Sequence, residues 1–161
     1  MTVYPAQPIP SADLAAPGAS GPKRRRGMLT FEMMLALPVL LIAVFALVEF
    51  SFLLLSYQAV AGSASVGVRQ AALPSSDTND VENAVTASLN GWAFQDDVKV
   101  LVYVNGVRDT TNTLLAASTS GDEVSVEVQL LYGKAAPDLL KFVGLSLSEH
   151  RLITQYTMYR E

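Results

Sequence analysis

The stretch KRRRGMLTFEMMLALP, residues 23–38, sets four basic side chains and a glycine directly before an apolar run, with a carboxylate, Glu32, at its mouth. Met33–Val48 supplies 16 consecutive uncharged residues, and after Glu49 another 19 follow as far as Val68. No Lys or Arg occurs between Arg26 and Arg69. A hydrocarbon core of about 30 Å needs about 20 helical residues, so this run is read as one membrane span over roughly residues 28–56. Lys23, Arg24, Arg25 and Arg26 precede it immediately, and the positive-inside bias puts that end in the cytoplasm and the carboxyl end across the membrane. The run is too long for the apolar region of a cleavable secretory signal, although Ala59-Val60-Ala61 imitates a cleavage site. The rest of the chain is too short to cover an all-round apolar helix of this length inside a soluble protein.

Upstream, the first 27 residues hold five of the eight prolines, with Ala, Gly and Ser between them and no hydrophobic period. Residues 1–27 are therefore expected to be a disordered cytoplasmic leader. Downstream, the net charge of −4 conceals a split: after Gly27 there are 7 basic against 14 acidic side chains. An acidic surface of that kind gives no basis for nucleic-acid binding. The absence of cysteine excludes disulfides, thiolate metal sites and Cys nucleophiles.

Glu32 poses the central chemical question, because an ionised acid well inside hydrocarbon costs on the order of 3 kcal/mol or more unless something meets it. Gly27 directly before the apolar run, with Glu32 as the fifth residue after it, resembles the cleavage and assembly site of type IV prepilins. The continuation FEMMLALPVLLIAVFALVEFSFLLLSYQAVAGSASVGVRQAA is similar to the TadE-like branch of pilins and pseudopilins, which belongs to tight-adherence (Flp) secretion systems. Glu32, Leu37-Pro38, Glu49-Phe50, Tyr57 and Gly67-Val68-Arg69 before Ala71-Ala72 carry the likeness. The final LITQYTMYRE is similar to that family's usual carboxyl end. The leader departs from the pattern in being long and proline-rich, and Met28-Leu29-Thr30-Phe31 stands where small residues are usual.

The resemblance implies that a prepilin peptidase cuts after Gly27 on the cytoplasmic side, leaving Met28 first and methylated. The freed ammonium of one subunit and the Glu32 carboxylate of its neighbour then neutralise each other in a low dielectric. Its implied partners are the prepilin peptidase, other pilin or pseudopilin subunits and the inner-membrane secretion platform. The implied location is the inner membrane, with the carboxyl-terminal domain outside the cytoplasm and possible incorporation in a pilus.

A helix from Met28 to Ala72 has 45 residues and, at 1.5 Å each, a length of about 67 Å, roughly twice what a bilayer needs. Its second half is expected to stand outside the membrane. There Ala59, Ser63, Gly67 and Ala71 recur every four residues and form a ridge of small side chains, open either to a neighbouring helix or to the chain's own sheet. Pro38 predicts a kink rather than a break. Glu49, 17 residues after Glu32 and about 25 Å farther along the axis, is expected to be a partly hydrated interfacial carboxylate. Arg69 is expected to be a solvated charge.

Beyond Ala72 the pattern predicts an extracytoplasmic α+β domain over residues 73–161. Pro74-Ser75-Ser76-Asp77 marks a break and a helix cap, and Val81, Ala84, Val85, Leu89 and Trp92 fall on one helical face, closed by Asn90-Gly91. Val98, Val100, Val102 and Val104 alternate with Lys99, Leu101 and Tyr103. Val124, Val126, Val128 and Leu130 alternate with Ser125, Glu127 and Gln129, and Leu152, Thr154, Tyr156 and Met158 share a third period-two face. Asn105-Gly106 and Ser120-Gly121-Asp122 are turn signals. Residues 137–143 suit one or two helical turns stopped by Gly144. The predicted fold is α+β and pilin-like: a long transmembrane helix packed at its outer half on a small antiparallel sheet, plus short helices.

No catalytic constellation emerges. His150 is the single histidine, so neither a His-based triad nor a two-His metal site can be built within one chain. DTNDVE, residues 77–82, lacks the sixth-position glycine and the twelfth-position acid of a calcium loop. Asp96-Asp97 and Asp122-Glu123 read as solvated strand ends. Neither cofactor nor metal is expected, and the protein is not expected to be an enzyme. The sequence reading is thus a minor pilin or pseudopilin. Its alternative is an uncleaved single-pass anchor displaying an extracytoplasmic binding module.

Overall fold

A long helix, α1 (Arg26–Ala72), runs through Pro38 without interruption in the computed structural model. The structure describes residues 26–161, so the expected leader up to residue 25, with Lys23, Arg24 and Arg25, lies outside the described residues. By its contacts the chain falls into two units, up to Ala36 and from Leu37 onward; the packing below belongs to the second.

α1 stops where the sequence removes its means of continuing. Pro74 has no N–H to donate, and Ser75 takes a left-handed φ of 66°. Helix α2 (Thr78–Ser88) then starts at Asp77, whose carboxylate accepts from Asp80 N while the Asp80 carboxylate accepts from Asp77 N. This reciprocal cap satisfies two amides that a helix start leaves without partners. Val81, Val85 and Leu89 are buried completely, as their shared face predicts, whereas Trp92 lies beyond the helix end.

Strand β1 (Lys99–Val104) turns through Asn105 (φ 50°) and Gly106 (φ 77°) into the short β2 (Val107–Arg108). Two successive positive φ values are what an Asn-Gly hairpin turn supplies. A single-turn helix, α3 (Leu114–Ala117), leads to β3 (Glu123–Leu131), which continues into α4 (Tyr132–Ala135). A 3₁₀ helix, Leu139–Val143, follows and is stopped by Gly144 in the left-handed conformation. Strand β4 (Arg151–Tyr159) closes the fold. The sheet order is β2-β1-β3-β4, antiparallel throughout.

Register explains the core. Val100, Val102 and Val104 sit opposite Val128, Val126 and Val124, and Leu152 and Thr154 sit opposite Leu130 and Val128, so one face of the sheet carries a continuous apolar row. That row joins Val60, Ala64, Val68 and Ala71 of α1 and Val81, Val85 and Leu89 of α2 in a single cluster. Tyr156 and Met158 share this face with Val126 and Val124 but stay 42% and 39% exposed. They stand on the outermost strand, where only one neighbouring strand flanks them.

Candidate functional site

The described residues that the sequence singles out as candidates all lie on α1. Gly27 and Met28 are in helical backbone. Glu32 is on the exposed surface of the helix, and every side chain from Thr30 to Leu41 is exposed, Phe31 and Met34 by 68% and 76%. An apolar helical surface of this extent requires a nonaqueous neighbour. By length and composition α1 can cross a membrane.

From Ile42 onward one side of α1 is covered. Its buried or half-buried positions include 42, 46, 49, 53, 56, 60, 63, 67 and 71, steps of three or four that trace one helical face. The small-residue ridge lies within this covered stripe. Ala59 packs against the core, and Ser63 and Ala71 are buried. A Cβ on Gly67 would stand 2.7 Å from Val85 Cγ2 and 3.1 Å from Val126 Cγ1. The ridge therefore admits α2 and β3 of this same chain, and the glycine is required by that close approach. Ser63 Oγ returns its hydrogen bond to Val60 O at 2.8 Å, so the hydroxyl adds no unmet polar group to the core.

Glu49 departs from expectation. It is 4% exposed rather than hydrated, and its Oε2 accepts the N–H groups of Leu139 and Leu140, each at 3.0 Å. The physical reason is that residues 137–147 fold back on α1 and bring the start of the 3₁₀ helix, with its free amides, onto the carboxylate. Two turns later Ser56 Oγ donates to Ala135 O at 2.8 Å. Glu49, Ser56, Ser63 and Gln70 recur at intervals of seven and lie on the packed side of α1, whereas Ser51, Gln58 and Arg69 are exposed.

Two more buried charges organise the opposite end of the domain. Asp109 accepts from Thr78 Oγ1, Thr111 N, Thr113 N and Leu115 N at 3.0–3.2 Å. Burial pushes this carboxyl up, but the hydrogen bonds from Leu115, Thr113 and Thr78 outweigh it and hold it below the usual carboxylate range. Arg160, 5% exposed, donates to Leu115 O, Ser118 Oγ and Ser76 O. These groups lock loops in place; nothing about their arrangement is chemically reactive. Arg69 and His150 are exposed. Among the described residues no group of three or more His, Asp or Glu side chains is placed to hold a metal ion.

The family model described as TadE-like protein matches residues 27–69, from the glycine to the last turn of α1. That segment is similar to the TadE-like family, a likeness that points to a Tad/Flp pilus-associated protein. Comparison with the curated proteins and with solved structures finds no match.

Proposed function

We propose that this protein is a minor pilin or pseudopilin of a tight-adherence system, cut after Gly27 by a prepilin peptidase and assembled through α1. The observation that carries the reading is the TadE-like match that begins at Gly27 and includes Glu32. The exposed apolar surface from Thr30 to Leu41 supports it, because lipid covers such a surface before assembly and neighbouring helices cover it afterwards. Cleavage creates an ammonium at Met28, and the Glu32 carboxylate of an adjoining subunit meets it where low dielectric strengthens the pair. Lys23, Arg24, Arg25 and Arg26 hold the leader in the cytoplasm, within reach of the peptidase, and the sheet domain stands outside the inner membrane. The remaining partners are other pilin subunits and the secretion platform.

Mass spectrometry of the membrane-extracted protein tests this directly. A new terminus at Met28, particularly a methylated one, is expected, and Gly27→Leu abolishes it. Glu32→Ala leaves cleavage intact but reduces incorporation into the assembly. An intact Met1 in cells that contain an active peptidase overturns the proposal in favour of an uncleaved single-pass anchor.

A further inference from the structure

The expected span reaches residue 56, yet the folded domain already rests on α1 at Phe45. The ring of Phe142 meets that of Phe45 edge-on, with centroids 5.7 Å apart and planes at 88°. One turn farther along, Glu49 is buried under the amides of Leu139 and Leu140. A span of about 20 residues that starts at Met28 still includes Phe45. Helical side chains lean toward the amino end of their helix, so the Phe45 ring lies deeper than its own Cα. The segment Leu139–Leu147 therefore sits at a depth where the helix beside it is in lipid.

The surface of that segment suits the same surroundings. Phe142 is 57% and Leu145 61% exposed, and Val143 and Leu147 are exposed beside them. Four large apolar side chains within six residues make a patch that water-facing surfaces seldom carry. Lys141 is the one charged residue between Leu139 and Leu147, and its long stem allows the ammonium to reach the headgroups. An open groove of about 250 Å³ beside Glu49, lined by Ala46, Phe50, Leu53, Leu140 and Leu147, offers acyl chains an apolar seat.

Irregular backbone enters lipid only where protein satisfies its polar groups. Here the first two amides of the 3₁₀ helix end on Glu49. At its other end Gly144 N donates to Lys141 O at 3.0 Å and Leu145 N to Leu140 O at 3.2 Å. Glu49 is thus the acceptor for the two amides that open the 3₁₀ helix.

We infer that residues 139–147 form a foot that dips into the outer leaflet beside α1 and anchors the sheet domain to the lipid surface. This rests on α1 being a membrane span, and the experiment separates the two. Because the chain contains no cysteine, single nitroxide labels can be placed on the full chain in phosphatidylethanolamine–phosphatidylglycerol vesicles. The sites are Leu145→Cys and Val143→Cys in the foot, Leu47→Cys on the exposed side of the span and Glu82→Cys on α2. The readout is collision with dissolved oxygen against collision with a water-soluble nickel chelate. The expected result is oxygen-rich, nickel-poor signals at both foot positions and at Leu47, with the reverse at Glu82. If the foot labels match Glu82 while Leu47 remains in lipid, the foot is outside and the inference falls alone. Foot labels sheltered from both reagents mean that another protein surface covers the patch, which also overturns it. A water-exposed Leu47 overturns the span and the foot together.

Discussion

The Glu49 carboxylate receives the backbone N–H of Leu139 at 3.0 Å across 90 residues of sequence. Leu140 shares the same oxygen, so one side chain of α1 caps a 3₁₀ helix that belongs to a different part of the fold. Glu49→Ala leaves two sheltered amides without an acceptor, a loss of about 1–3 kcal/mol for each. Hydrogen exchange at Leu139 and Leu140 is expected to quicken by roughly ten- to a hundredfold, since 1.4 kcal/mol is a factor of ten, with a smaller rise for Glu49→Gln. Unchanged exchange in Glu49→Ala would show that the cap does not hold the segment.

Two glycines of α1 make opposite predictions. Gly67→Ala drives a methyl against Val85 and Val126, and overpacking of this kind destabilises by about 1–3 kcal/mol. At Gly62 a Cβ would meet nothing within 4 Å, so Gly62→Ala gains roughly 0.5–1 kcal/mol from helix propensity. Thermal unfolding of the detergent-solubilised protein should lower the midpoint for the first and raise it for the second. A fall of equal size in both would mean that Gly67 is not a site of tight packing.

Acid sensitivity follows from Asp109. Its folded-state pKa lies below the ordinary value, so its contribution to stability is complete above the unfolded-state pKa of about 3.9 and is lost as pH falls through the depressed folded value. Asp122 acts in the same direction, held down by hydrogen bonds from Asn105 Nδ2 and Thr119 N. Unfolding followed from pH 6 to pH 2 should show stability declining below about pH 4, and Asp109→Asn should flatten that decline while lowering stability at pH 6. An identical acid limb in the variant would exclude Asp109 as its source.

Much of this architecture was legible because the relevant signals are local. Asp77 and Asp80 announce α2 three residues apart, Asn105-Gly106 announces a hairpin turn, and alternating valines announce the inward face of β1 and β3. The small ridge at Ala59, Ser63, Gly67 and Ala71 was visible, but what it packs against was open, since a small-residue stripe suits a neighbouring helix and an intramolecular sheet equally. Glu49 misled for a different reason: its partners are backbone amides, which carry no residue-type signature, and a chain fold 90 residues away delivers them. β2 and α3 escaped notice because two or four residues are too few to show a period. Tyr156 and Met158 follow the alternation of β4 yet remain half-exposed, because alternation reports a strand's face and says nothing of its place at the edge of a sheet.

The way Arg160 and β4 join the rest has a bearing on biogenesis. β3, at the centre of the sheet, gains its second flanking strand only when Arg151–Tyr159 arrives. The guanidinium beyond it then ties α3 to the turn after α1, while Glu161 N bonds to Ala72 O at 3.0 Å. Until these pairings form, the edge of β3 that β4 covers stays open. Through that interval the unfinished edge of β3 is open to mispairing.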